Sequence, residues 1–170
     1  MTALREGRLE HRFDDTWTVS KYDEWPFYLG HFQSQCGTNK GIDFVARDPA
    51  DALWLIELKD YRVHPRTKFI ELAEEVAMKV RDSLAGIVAA AKWHSHHAHL
   101  AEATDHLEAK KLRVVLHLEQ PPHHSKMSPR KFALANVQQK LKQLVRAVDA
   151  HPVVMELATM GGVPWTAMSI

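Results

Sequence analysis

The sequence has few of the features that mark disulfide-rich, membrane-spanning or secreted proteins. Its 170 residues include one cysteine, so no internal disulfide can form and a reducing compartment is expected. No run of 18 apolar residues occurs, which predicts that the chain does not span a membrane. The polar first residues are unlike a secretion signal. We therefore expect a cytoplasmic protein.

The chain also has almost no net charge. Its 22 Lys and Arg residues nearly balance its 21 Asp and Glu residues, which gives a formal net charge of +1 at pH 7. A protein that binds nucleic acid non-specifically usually displays a basic face, so any such face must be local here. One basic group directly follows the most distinctive stretch of the chain: Arg62, His64, Arg66 and Lys68. Length and composition otherwise predict a single globular domain over residues 1–170.

The most distinctive stretch consists of two apolar runs that flank the loop 48–52, which carries Asp, Pro and Asp. This pattern predicts a β-hairpin. If the loop is centred on Ala50, the numbers of paired residues sum to about 100, so Asp43 faces Glu57. Side chains alternate along a strand, so Glu57 and Lys59 share one face. The hairpin therefore gathers Asp43, Glu57 and Lys59 on one patch of sheet.

Two carboxylates that face each other across a strand pair repel, and one lysine offsets this repulsion only in part. A divalent cation between the carboxylates relieves it further. Mg²⁺ favours sites with one or two carboxylates, several waters and phosphate oxygens. The pattern therefore indicates phosphodiester hydrolysis, in which the metal activates water and the lysine stabilises charge that develops on the phosphate.

This stretch resembles the motif of the PD-(D/E)XK nuclease superfamily, in which an Asp, here Asp43, is followed after a short gap by a strand with the sequence Glu57-Leu58-Lys59. The proline that precedes the Asp in the motif is Ile42 in this chain. The resemblance implies an α/β fold with a mixed central sheet of four or five strands flanked by helices, as in restriction endonucleases and Holliday-junction resolvases. It implies that Asp43, Glu57 and the carbonyl of Leu58 bind Mg²⁺ or Mn²⁺. Lys59 would be the catalytic lysine.

In many members of this superfamily, an acidic residue from an element before the first motif strand completes the metal site. Glu10, Asp23 and Glu24 are the candidates here, and we expect Glu24 to join the site. The resemblance further implies a metal-dependent DNA endonuclease. Small proteins of this kind often act as homodimers or beside a partner subunit, so a homodimer or a partner subunit is one expectation.

Past the hairpin, apolar residues spaced by three or four predict a long helix from Lys68 to about His94. Lys79 and Ser83 lie one turn apart on it. In several branches of the superfamily a polar residue of this helix reaches back to the site, and these two residues are the candidates. A solvated or capping role is the commoner one for such residues.

The rest of the chain predicts three further features. A strongly apolar run at 112–119 predicts a strand. Ser128 before a proline indicates the start of an amphipathic helix that runs to about Ala150. The segment around Gly161-Gly162 predicts a turn between two short strands.

Two other functions remain open. One is a catalytically silent module of the same fold that binds nucleic acid or protein, which the small net charge favours. The other is a histidine-based metal protein. If the helix continues through 94–99, His94 and His97 share one face, and so do His96 and His99. No HExxH motif or cysteine pair accompanies these residues, which favours a solvent-exposed helix end.

Overall fold

The computed structural model describes residues 1–121 and 132–170. The predicted helix start at Ser128 therefore lies outside the described residues. Within them, no helix is long and apolar enough to cross a membrane. The strands and helices, in chain order, are β1 (Thr2–Glu6), β2 (Leu9–Phe13), β3 (Thr18–Lys21), β4 (Phe44–Arg47), β5 (Ala52–Asp60), α1 (Leu72–Ala91), α2 (Leu100–Leu107), β6 (Lys111–Glu119), α3 (Leu134–Val145), β7 (Val153–Met155) and β8 (Thr166–Ser169).

The strands of the described residues form two sheets. The larger has the order β3-β4-β5-β6-β7. Its first two strand pairs are antiparallel, and the pairs β5–β6 and β6–β7 are parallel. The smaller sheet is antiparallel, with the order β1-β2-β8. The predicted α/β class, with a mixed sheet of four or five strands flanked by helices, is confirmed.

The two faces of strand β5 pack against different layers. Leu53 and Leu55 belong to the core shared with the helices. Trp54, Ile56 and Leu58 belong to a second core, which the smaller sheet covers. Because side chains alternate, the odd-numbered positions of β5 face the helices. Any polar side chain at residue 57 or 59 is therefore directed to the helical side.

The β4–β5 hairpin has the predicted register. Phe44 pairs with Ile56, and the other pairs of this ladder also have numbers that sum to 100. The carboxylate of Asp48 closes the loop by accepting backbone N–H bonds, one of them from Ala52 at 2.9 Å. Asp51 has a φ of 63°, a conformation that Asp tolerates better than most residues. Local side-chain bonds therefore fix the register on which the site depends.

Helix α1 is shorter than predicted at both ends, because it begins at Leu72 instead of Lys68 and ends at Ala91. Its glycine has a packing role. A Cβ atom added to Gly86 would lie 1.9 Å from Oη of Tyr22, so only glycine allows this close approach. Gly86 thereby sets how near α1 comes to the chain that leaves β3.

Four buried side chains join the two sheets in one hydrogen-bonded series. The indole Nε1 of Trp165 donates to Nδ1 of His11 at 3.0 Å. An indole nitrogen only donates, so Nδ1 of His11 is unprotonated and its Nε2 carries the hydrogen. That Nε2 lies 2.9 Å from Nδ1 of His117, and Nε2 of His117 lies 2.9 Å from Oε1 of Glu119. Every donor in this series, which we call the histidine relay, therefore points towards Glu119.

The relay requires a neutral imidazole at His11, because its Nδ1 accepts the indole hydrogen of Trp165. Both histidines are 0% exposed. Burial, followed by the proximity of His117, lowers the pKa of His11 to about 3. An added proton on His11 would also remove the acceptor that the indole of Trp165 uses. The smaller sheet is therefore docked on the larger one by a contact that protonation disrupts.

The C-terminal segment does not form the predicted turn between neighbouring strands. Strand β7 pairs with β6 in the larger sheet, whereas β8 pairs with β2 in the smaller one. The prediction of a hairpin around Gly161-Gly162 is therefore wrong. The segment between β7 and β8 crosses from one sheet to the other and carries Trp165 into the second core.

Acid should weaken the fold through the histidine relay. Between about pH 6.5 and pH 3 the unfolded chain binds a proton on His11 that the folded chain does not, so the free energy of unfolding falls as pH falls. We expect His11→Gln to reduce the slope by up to about 1.4 kcal/mol per pH unit in this range. Urea unfolding at several pH values measures it. His151→Gln, at an exposed histidine, is the control and should keep the full slope.

Candidate functional site

Two carboxylates meet at the end of the hairpin. Asp43 directly precedes β4, and continuing the observed register sets it opposite Glu57 in β5. Oδ2 of Asp43 accepts the backbone N–H of Leu58 at 2.6 Å. Glu57 is 1% exposed, and Asp43 is 6% exposed. The structure therefore brings the two acids of the motif together in a buried position on the helical side of the sheet.

Two lysines complete this group. Nζ of Lys59 forms an ion pair with Oε1 of Glu57. Nζ of Lys79, from α1, lies 2.6 Å from Oε1 of Glu57 and 3.4 Å from Oδ1 of Asp43. We call Asp43, Glu57, Lys59 and Lys79 the acid–lysine cluster. It contains two acidic and two basic groups, and one ammonium touches both carboxylates.

Burial dominates the electrostatics of the cluster. It raises the pKa of Glu57 to about 7, and the charge of Asp43 acts in the same direction. Burial alone would lower the pKa of Lys79, but Glu57 and Asp43 outweigh it, and the pKa of Lys79 is raised. The ammonium of Lys79 therefore stays protonated, and it is the main positive charge that offsets the repulsion between the buried carboxylates of Asp43 and Glu57.

Helix α1 positions Lys79 through two bonds one turn further along. Oγ of Ser83 accepts the backbone N–H of Ile42 at 2.9 Å, and a carboxylate oxygen of Asp82 accepts that of Lys40 at 3.0 Å. These bonds tie the helix to the segment that leads into Asp43. Lys79 and Ser83 were candidates for this contact, against the commoner solvated or capping role, and both side chains do reach back to the motif.

The structure places Glu24 elsewhere than expected. Its side chain is 63% exposed and pairs with Lys21, so the expectation that Glu24 joins the cluster is corrected. Glu10 pairs with arginines in the smaller sheet. The third candidate, Asp23, interacts electrostatically with Asp43. Burial, followed by the charge of Asp43, raises the pKa of Asp23 to about 6. The turn after β3 therefore directs Asp23 inward and Glu24 to solvent.

A divalent ion does not fit these residues as they are placed. Oε2 of Glu57 and Oδ1 of Asp23 are buried and lack a hydrogen-bond partner among the described residues, which would suit a cation. However, Lys79 already bridges the two motif acids. In residues 1–121 and 132–170, no group of three or more His, Cys, Asp and Glu side chains is arranged to hold a metal. The cluster suits an ammonium.

Two clefts lie beside the cluster and share Lys68. The first has a volume of about 300 Å³, and Lys59 and His64 line it. The second has a volume of about 320 Å³, and Lys40 and Lys79 line it. Two members of the basic group that follows the hairpin, His64 and Lys68, therefore lie at the rim of the site, where a polyanion can reach them.

Lys68 is held at the rim by a buried acid. Glu75, which is 0% exposed, contacts both Lys68 and Arg66. Burial would raise the pKa of Glu75, but the bonds from Lys68 and Arg66 prevail and lower it to about 2. Lys68 itself is 54% exposed. One acid thus anchors Arg66 inside the protein and leaves Lys68 available to solvent.

The histidine-rich stretch is not helical. Helix α1 ends at Ala91, so the helical spacing of His94 with His97 and of His96 with His99 is wrong. His97 lies 2.9 Å from the carbonyl of Ala90 through Nε2, and the ring of His99 stacks on an indole. These side chains pack in separate places, and the described residues give no metal-holding group here.

Comparison with known proteins gives one informative similarity. The chain is 33% identical over 172 aligned residues to a cysteine–tRNA ligase of Neisseria meningitidis serogroup A / serotype 4A (strain DSM 15465 / Z2491). The alignment covers 81% of this chain and 24% of the ligase, so the chain spans about a quarter of that relative. No family model matches the chain, and no solved structure matches it at a significant level.

This similarity corrects the functional prediction. A relative that joins cysteine to tRNA is a ligase with an RNA substrate, so the prediction of a metal-dependent deoxyribonuclease, with its hydrolase and endonuclease activity, is wrong. The prediction that DNA is the partner is wrong for the same reason. The physical source of the error is that a short acid-and-lysine motif specifies a local charge arrangement. It does not specify the polymer or the reaction.

Removal of the Asp43 carboxylate should destabilise the chain even without metal. Asp43→Ala leaves the buried N–H of Leu58 without its acceptor, which costs about 1–3 kcal/mol of unfolding free energy. Asp43→Asn retains an oxygen acceptor and should lose less. Urea unfolding in the presence of a chelator measures both. If Asp43→Ala equals or exceeds the parent in stability, repulsion between the acids dominates and this account of the cluster fails.

Proposed function

We propose that the chain is a tRNA-directed module of the aminoacyl-tRNA ligase type, and that it contacts phosphates of the RNA along the lysine-bearing rim of the acid–lysine cluster. The observation that carries the proposal is the 33% identity to the cysteine–tRNA ligase across 81% of the chain. Because the chain spans about a quarter of that ligase, the proposal concerns contact with tRNA, and the ligation reaction is assigned to no residue here.

The distribution of charge supports this role. The four charges of the cluster balance, so attraction of RNA depends on the basic side chains around it. Lys68 borders both clefts, and Lys40 and His64 form no ion pair among the described residues. A lysine ammonium is a compact charge that binds phosphate oxygens without demanding one orientation. Successive phosphates of one strand are therefore suitable occupants of the two clefts.

The relation to the PD-(D/E)XK superfamily enters this proposal as a hypothesis about the domain. The hairpin register, the paired acids and the lysine two residues further on support it. In the proposed role the same arrangement supports the lysines at the rim of the cluster, Lys40 and Lys68, and does not cut the RNA. The buried ion pairs make the cluster rigid, and a rigid support allows Lys40 and Lys68 to meet phosphates with little loss of side-chain freedom.

Substitution of rim lysines should weaken tRNA binding. We expect the double variant Lys40→Gln with Lys68→Gln to bind a transcribed cysteine tRNA about tenfold or more weakly, with a salt dependence shallower by about two charges. Fluorescence anisotropy over a range of salt concentrations measures both quantities. Lys110→Gln is the matched control, because Lys110 is 77% exposed and lies at the opposite end of β5, beside Asp51.

Three outcomes would contradict the proposal. Equal affinity for the tRNA and for a DNA duplex of similar length would show that the chain does not select RNA. Charging of the tRNA by the chain alone, with cysteine and ATP, would show that this quarter of the ligase carries the ligation chemistry. A result in which the double variant binds as tightly as the parent would place the RNA on another surface.

A further inference from the structure

We propose that Lys79 is the resident cation of the acid–lysine cluster, and that it takes the place that a divalent ion would otherwise occupy between Asp43 and Glu57. Two acids on adjacent strands need a positive charge between them. In this chain a helix supplies that charge. The proposal is independent of tRNA binding, because it concerns the charge balance inside the protein.

The geometry of Lys79 is that of a bridging cation. Its Nζ lies 2.6 Å from Oε1 of Glu57 and 3.4 Å from Oδ1 of Asp43. The side chain is 13% exposed, so water screens these contacts weakly. A lysine held in this way contributes one positive charge at a fixed place. It needs no ion from solution.

The helix gives this ammonium little freedom to leave. Ser83 and Asp82 bond the segment before Asp43 to α1, one turn beyond Lys79. On the other side, Glu75 lies one turn before Lys79 and is occupied by Arg66 and Lys68. Both neighbouring turns of the helix are therefore fixed, and Lys79 is held between them.

The same place would become attractive to a hard cation if the ammonium were removed. Oε2 of Glu57 and Oδ1 of Asp23 are buried and have no hydrogen-bond partner in the described part of the chain. Asp43 would also lose its contact with the ammonium. Asp43 and Glu57 would then face the vacated position with Lys59 to balance them, and carboxylate oxygens are the ligands that Mg²⁺ and Mn²⁺ prefer. Lysine and metal are then alternatives at a single site.

The experiment compares the response of purified variants to MnCl₂ and MgCl₂ by thermal shift, with Mn²⁺ affinity from titration calorimetry. The parent chain and Lys79→Arg should show no shift. Lys79→Met should gain a metal-dependent rise in Tm and bind Mn²⁺ about tenfold or more tightly, because a positive charge next to the site is removed. The gain should vanish when Asp43→Asn is added to Lys79→Met. Lys110→Met, at a surface lysine, is the matched control and should gain nothing.

Each remaining outcome counts against the proposal. A parent chain that metal stabilises as strongly as Lys79→Met would show that the ion binds beside the lysine and not in its place. A folded Lys79→Met that gains no metal response would show that Lys79 occupies no cation position. If Lys79→Met does not fold, Lys79→Gln serves in the same comparison, and the response of the parent chain still tests the proposal on its own.

Discussion

The contact between the ammonium of Lys79 and the two carboxylates is the interaction on which the rest of the site depends. It joins α1, β5 and the residue before β4 within a few ångströms. Buried ion pairs of this kind add little net stability, but the loss of one member leaves an uncompensated charge. The helix cannot move without exposing that charge. The position of the clefts beside the cluster therefore follows from one lysine.

Much of this arrangement follows from short-range rules. The alternation of side chains and the length of one loop set the register that brings Asp43 opposite Glu57, and the helical repeat aligned Lys79 with Ser83. The smaller sheet is different, because residues 9–13 pair with residues 166–169, and no local pattern links them. For the same reason the histidine relay was not predicted: its members come from both sheets.

Two errors arose where local geometry overrides composition. Asp23 and Glu24 are adjacent acids, and the direction of the turn after β3 determines that Asp23 is half-buried and Glu24 exposed. Helix α1 ends at Ala91, so the histidines that follow lose the spacing that made them look paired. The functional error is of another kind. The motif residues do converge, but the similarity to a tRNA ligase indicates that convergence alone does not identify the substrate.

Gly86 has an effect beyond its own contact. Its missing methyl group allows α1 to rest against Tyr22, and Lys79 lies seven residues earlier on that helix, which is about 10 Å along its axis. A helix behaves as a nearly rigid body, so a side chain added at Gly86 would displace the whole of α1, including Lys79. The charge balance around Glu57 is therefore tunable from a remote glycine, and a sequence change there would alter the site while leaving every one of its side chains intact.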